Sequence, residues 1–301
     1  MSHNVKSLHT DFLEELELAQ GRSSRTTQNY DHYLRRFYQQ EGVEKVSDIT
    51  QDAVRQFRRW LHEKHQAAAP TINYHLIALR QFLKYLARRD IKALSPEKVG
   101  LAKLGDREID VLYPEEIDAL LTAAQKAAAA DDVAAKRDHA LLQTLFSTGL
   151  RVSELCSLDR DDIRSSGEIS VRGKGNKVRV VFLSQAAQLA IANYVEQRVD
   201  TDPALFISHA KRSAGSDDKR LLPRTVQRLI KKYAALAGLT KHITPHTLRH
   251  SFATDLLSNG ADVRQVQQML GHASITTTQV YTHLTDAHLK DVHAKFHRKT
   301  K

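Results

Sequence analysis

Ile169-Ser170-Val171-Arg172-Gly173-Lys174-Gly175-Asn176-Lys177-Val178-Arg179-Val180-Val181-Phe182 is the stretch on which the fold class turns. Ile169 and Val171 alternate with polar residues, Gly173 to Asn176 supply turn chemistry, and Val178, Val180 and Phe182 alternate on the return. Period-two alternation on both sides of a glycine-containing turn predicts an antiparallel hairpin with Lys174 at its tip. The flanking glycines allow close backbone approach, so the ammonium can be presented into a groove. Hairpin-tip lysines are most often simply solvated, and the pattern alone leaves the role of Lys174 open.

Outward from this hairpin the period changes to that of a helix. Apolar residues recur at helical spacing in Leu8-Phe12-Leu16, Tyr30-Leu34-Phe37, Val54-Phe57-Leu61 and Ile72-Leu76-Leu79-Leu83-Leu86, with breaks near Gly21, Gly42 and Pro70. The opposite faces carry Arg25, Arg35, Arg36, Arg58, Arg59, Lys64, Arg80, Lys84, Arg88 and Arg89, as solvated helix faces commonly do. Periodicity fails from Ala93 to Asp110, where Ser95-Pro96, Gly100 and Gly105 mark a linker. Helices resume at Tyr113-Pro114-Glu115-Glu116, a proline followed by two acids. The alanine-rich stretch Ala119 to Ala135 reads as a surface helix and its turn. Further helices are expected over Gln185 to Arg198 and Thr225 to Ala237, separated by an exposed loop from Ala210 to Arg220. The pattern predicts a mainly α protein with a small antiparallel β-sheet. Its domains are a helical N-terminal domain over 1–92, a linker over 93–110 and a second domain over 111–301.

A chain of 301 residues can bury two such cores. The formal net charge of +10 favours a polyanionic partner, and the basic residues are spread along the chain, unlike a membrane-binding polybasic tail. The single cysteine, Cys156, cannot form an internal disulfide or a thiolate zinc site, and reads as a small buried hydrophobe in a reducing compartment. Met1 to Lys6 lacks the apolar core of a signal peptide, and no run approaches the roughly 20 apolar residues of a membrane span. A soluble, cytoplasmic protein is expected.

Four segments carry chemistry. In Ile243-Thr244-Pro245-His246-Thr247-Leu248-Arg249-His250-Ser251-Phe252, Thr244 can cap a helix whose first turn holds Pro245. His246 and Arg249 then share one face near the positive helix end, where a phosphate meets an imidazole, a guanidinium and a favourable dipole together. In Thr148-Gly149-Leu150-Arg151-Val152-Ser153-Glu154-Leu155, Arg151 falls between two helices, and Glu154 is spaced to hold it or a neighbour. Lys174 is the third piece. The fourth is Leu270-Gly271-His272, a glycine-capped helix end, followed by Ser274 capping a short helix with Tyr281.

Arg151, Lys174, His246-x-x-Arg249, His272 and Tyr281, in that order, resemble the active-site set of the tyrosine recombinase (phage integrase) family. The words Thr-Gly-Leu-Arg-Val-Ser-Glu-Leu, Gly-Lys-Gly-Asn-Lys and Leu-Gly-His are similar to those of its Xer-type site-specific DNA recombinases. Phe182 departs from the pattern, where a proline often follows the hairpin. The resemblance implies a two-domain DNA clamp, made of a helical core-binding domain and a tyrosine-recombinase catalytic domain. It implies Tyr281 as nucleophile, giving a 3′-phosphotyrosyl intermediate, with His246 taking or sharing the phenolic proton. Arg151, Arg249 and His272 then hold the phosphate, Lys174 protonates the leaving 5′ oxygen, and Glu154 supports Arg151. It implies no cofactor, no metal and no ATP, and the chain shows no Gly-x-x-x-x-Gly-Lys-Ser/Thr loop. The implied partners are duplex DNA with a specific recombination site and a homo-tetramer, or a hetero-tetramer with a related recombinase. No membrane is involved. In the family a tail such as Asp286 to Lys301 docks on a neighbouring subunit. Chromosome-dimer resolution, in association with the nucleoid, and mobile-element integration or excision are both open.

Three other readings stand beside this one. His246 and His250 have zinc-ligand spacing, although the glutamate of His-Glu-x-x-His is missing and Arg249 would repel a cation. A type IB topoisomerase-like strand relaxation uses similar chemistry. An inert helical DNA-binding protein would keep the basic faces and lose the reaction.

Overall fold

Helix caps and apolar spacing set the first elements. α1 (Val5–Leu18) begins at Asn4, whose side chain accepts the Lys6 amide at 2.8 Å. α2 (Ser24–Glu41), α3 (Gln51–Glu63) and α4 (Ala69–Arg88) follow, with Thr50 capping α3 and Pro70 in the first turn of α4, where no amide is needed. The computed structural model describes residues 4–19, 21, 24–105, 111–130, 132–173, 178–210 and 219–271. The chain divides into two compact units, Met1–Arg107 and Glu108–Lys301.

The first unit buries the residues that its periodicity selects: Phe12 and Leu16, Leu34 and Phe37, Phe57 and Leu61, Leu76, Leu83 and Leu86. Aromatic edges meet faces inside it, with Phe37 and Phe57 centroids 5.2 Å apart and Phe12 and Phe82 5.5 Å apart. The segment after α4 packs back onto the same core. Val99 is fully buried, and Asn73 exchanges two hydrogen bonds with the Ala102 backbone, each 2.9 Å. Some of the basic residues are paired on the helix surface: Arg35 with Asp31, Arg88 with Glu15, Arg89 with Asp11.

The second unit runs α5 (Pro114–Ala128), α6 (Val133–Thr148), α7 (Val152–Ser157), β1 (Glu168–Arg172) and β2 (Val178–Phe182). It continues through α8 (Gln185–Glu196), α9 (Pro223–Leu236), α10 (Pro245–Ser258) and α11 (Val263–Leu270). The alanine-rich stretch supplies α5, a turn and the start of α6, and Ala124 and Ala140 are fully buried in the shared core. α10 is buried on most of its surface, and Ser251 ties it to the segment before α5 by accepting the Leu112 amide at 2.8 Å. Among the described residues, no helix is long and apolar enough to cross a membrane.

β1 and β2 pair antiparallel, with Ile169 opposite Val181 and Val171 opposite Arg179. The alternating residues of β1 face inward, and Ile169 and Val171 are buried. On β2 the alternating set Val178, Val180 and Phe182 faces out, at 57%, 42% and 53% exposure. Val181 and Arg179 take the inward face. On that face Arg179 meets the buried carboxylate of Glu154. The tip expected at 174–177, residues 211–218 of the loop expected over Ala210 to Arg220, and everything from His272 to Lys301 lie outside the described residues.

Candidate active site

A left-handed turn opens the site. α6 ends at Gly149 with φ +59°, and a Cβ there would stand 2.4 Å from Phe252 Cδ1 and 3.0 Å from Leu270 Cδ2. Only glycine satisfies both the conformation and the close approach of α10 and α11. Two residues on, Arg151 is the N-cap of α7. Glu154, buried in its first turn, accepts the Arg151 amide at 2.8 Å and the Arg151 Nη1 at 2.9 Å.

α10 supplies the second part. Thr244 caps it by accepting the Thr247 amide at 3.1 Å, and this places His246 in the first turn with Arg249 one turn further along. Arg249 is 3% exposed and donates to the Gly149 carbonyl at 2.7 Å and the Leu270 carbonyl at 2.6 Å. His246 is exposed, and its Nε2 lies 2.6 Å from Nε2 of buried His250. One ring nitrogen must donate there and the other accept, so the contact fixes the orientation of the outer imidazole.

The C-terminal end of α11 joins these parts. Three successive carbonyls, the groups that a helix end leaves without intrahelical partners, accept from three different arginines. Arg179 Nε donates to Met269 at 2.9 Å, Arg249 Nη2 to Leu270 at 2.6 Å and Arg151 Nη2 to Gly271 at 3.3 Å. Arg179 also forks onto Glu154, with Nη1 to Oε1 at 2.9 Å and Nη2 to Oε2 at 2.7 Å. Burial pushes the Glu154 carboxyl up, but the hydrogen bonds from Arg179 and the Arg151 amide outweigh it and hold the group down at about 2. Among the described residues, this network sets three guanidinium groups against one carboxylate. Its surplus positive charge, next to an exposed imidazole at a helix N-terminus, suits an anion such as a phosphodiester.

Arg151, Glu154 and Arg249 are therefore linked through the end of α11, and His246 stands one turn from Arg249 on α10. Lys174, His272 and Tyr281 lie outside the described residues, although His272 is the residue next to Gly271. Reading the sequence missed Arg179, and it considered His250 only as a metal ligand. The available signals were an arginine in register with Val171 on the inward face of the hairpin, and a histidine one helical turn after His246. Among the described residues, no three His, Cys, Asp or Glu side chains gather as a metal site. Burial raises the Cys156 thiol to about 11, against the opposing pull of Arg220, so it supplies no thiolate near neutral pH.

Residues 110–288 match the phage integrase family, and residues 10–90 match the phage integrase N-terminal SAM-like domain. The chain is 35% identical over 300 residues to tyrosine recombinase XerD of Oceanobacillus iheyensis, covering 95% of this chain and 97% of that one. It is 36% identical to tyrosine recombinase XerA of Pyrococcus furiosus, over 95% of this chain and 94% of the relative. Among solved structures, XerH site-specific recombinase bound to palindromic difH substrate, a post-cleavage complex, has a TM-score of 0.71 at 20% identity, covering 96% of this chain and 85% of that one. That likeness concerns the fold. The chain belongs to the phage integrase family, the tyrosine recombinases. With Xer relatives matching nearly its whole length, its activity is that of a site-specific recombinase, a DNA strand transferase.

Proposed function

We propose that this chain cuts and rejoins duplex DNA at a specific site through a 3′-phosphotyrosine on Tyr281. The observation that carries the reading is the convergence of Arg151 and Arg249 on the end of α11, one residue before His272. The Tyr281 oxygen attacks phosphorus and the bond to the 5′ oxygen breaks. His246 takes the phenolic proton, and Lys174 gives a proton to the departing 5′ oxygen. Arg151, Arg249 and His272 hold the non-bridging oxygens, where negative charge accumulates. Glu154 fixes Arg151 without touching DNA. Rejoining runs the same steps backwards with a new 5′-hydroxyl, so bond energy is conserved and neither ATP nor metal is consumed.

In this reading residues 1–92 form a core-binding domain, 93–110 a linker whose part through Ala102 packs on that domain, and 111–301 the catalytic domain. Duplex DNA is held largely through phosphates, so affinity falls steeply with salt. The protein works in the cytoplasm, at the nucleoid, as a tetramer on two sites, either of identical subunits or shared with a related recombinase.

Covalent capture tests it. The native chain is incubated with a pool of nicked duplexes of random sequence in the presence of EDTA, and protein–DNA adducts are isolated after denaturation. The expected result is an adduct joining Tyr281 to a 3′ end, with a recovered consensus sequence, and no adduct from Tyr281→Phe despite unchanged DNA binding. An adduct at another residue or at a 5′ end, or no adduct from the native chain, refutes the proposal.

A further inference from the structure

Arg179 has no part in the reaction just described, yet each of its three guanidinium nitrogens is engaged beside it. We infer that Arg179 is a positioning residue that locks the C-terminal end of α11 to the Arg151–Glu154 pair, so that the phosphate clamp and the start of the nucleophile segment are set as one unit. The inference rests on the assignment of Arg151 to the phosphate and of Tyr281 to the attack.

Arg179 is held from behind by the hairpin, where it pairs with Val171, and its side chain is only 9% exposed. Its fork covers both oxygens of Glu154, and its Nε takes the Met269 carbonyl at 2.9 Å. Each Glu154 oxygen is thereby shared. Oε1 accepts from Arg151 Nη1 and Arg179 Nη1, and Oε2 accepts from the Arg151 amide and Arg179 Nη2. The end of α11 lies directly on the same side chain. A Cβ on Gly271, at φ +63°, would be 3.0 Å from Arg179 Cδ and 3.3 Å from Nε. Removing the fork strips two of the four bonds that aim Glu154 and leaves the Met269 carbonyl without its arginine. Lysine cannot replace it, because one ammonium does not reproduce a planar fork plus a separate Nε–H.

The test uses the full-length chain, Arg179→Met, which keeps an apolar stem, and Arg179→Lys, which keeps the charge. Amide hydrogen exchange without DNA is read first. Exchange at residues 268–271 should rise on the order of tenfold in Arg179→Met, while the α6 core is unchanged. Covalent adduct formation is then timed on the duplex captured by the native chain, with either oxygen or sulfur as the 5′ bridging atom. A 5′ thiolate leaves without a proton donor, so sulfur repairs defects in leaving-group protonation only. Arg179→Met should be slowed on the order of 100-fold on both substrates, with duplex affinity retained. Arg179→Lys should fold like the native chain and still be slowed on the order of tenfold, which keeps the inference testable should Arg179→Met fold poorly. Unchanged exchange at 268–271, native rates in either variant, or a deficit that sulfur repairs overturns the inference. If the native chain forms no adduct, the proposed reaction fails, and the exchange measurement still decides the lock.

Discussion

Two groups of arginines in the second unit use the same side chain for opposite ends. Arg137 and Arg198, both buried, close on Asp138 and Asp200, and their remaining bonds go to backbone carbonyls such as those of Ile207, Ala204 and Leu205. Each guanidinium sits directly on a carboxylate, with Asp200 shared with Arg160, and the result is a staple between chain segments. Arg151 and Arg179 share Glu154, and carbonyl dipoles at the ends of α6 and α11 accept further bonds from Arg151, Arg179 and Arg249. A dipole orients a guanidinium without neutralising it. A staple seats its guanidinium on a carboxylate, whereas the site at the end of α11 aims its guanidiniums largely through backbone carbonyls.

The comparison breaks if the two groups respond alike to truncation. Arg137→Ala leaves the buried Asp138 carboxylate without its guanidinium and the Ile207 carbonyl without its donor, and should cost about 3–5 kcal/mol in urea denaturation. Arg151, whose side chain is 37% exposed, should behave differently. Arg151→Ala should leave the urea midpoint nearly unchanged but slow adduct formation by roughly 10²–10³-fold in single-turnover assays. Equal stability losses with no loss of rate would erase the distinction.

Glu154 sharpens the contrast through pH. Its folded carboxyl holds a proton less tightly than in the unfolded chain, with its value depressed to about 2. Its stabilisation is therefore complete above about pH 4.5 and is lost as pH falls towards about 2. Urea titrations of the native chain and Glu154→Gln should differ by about 3 kcal/mol at pH 6, and the gap should close over that acid range. A gap that stays constant with pH would mean that the carboxylate charge is not what holds the arginines. The smallest effect belongs to the outer sheet face. Val180→Thr, at an exposed position, should change stability by no more than about 0.5 kcal/mol, and inward-facing Val181→Thr by clearly more. The reverse order would mean that the faces of β2 are exchanged.

Much of this was readable from residues. Helical spacing placed Phe12, Phe57 and Leu76 in a core, Thr244 and Gly271 cap the helices expected of them, and Arg151 falls at the junction of α6 and α7. The face of β2 was not readable. Alternation counts apolar side chains, and Val178, Val180 and Phe182 outnumber Val181. The inward face carries the pair of Arg179 with Glu154 on α7, a partner that no local pattern contains. Arg179 was missed for the same reason, since its role depends on Glu154 and Met269, which meet only in the folded chain. The arginines that lie in recognisable words were found, whereas the one defined only by its partners was not.

The central claim is that the guanidinium groups at the end of α11 act on the charge of a phosphate. Replacing a non-bridging oxygen of the target phosphate by a methyl group removes that charge and leaves the rest of the duplex intact. Adduct formation by the native chain and by Arg151→Ala is compared on the phosphate and on the methylphosphonate. The account predicts that the large deficit of Arg151→Ala on the phosphate shrinks to less than about tenfold on the methylphosphonate. An equal deficit on both substrates would contradict it.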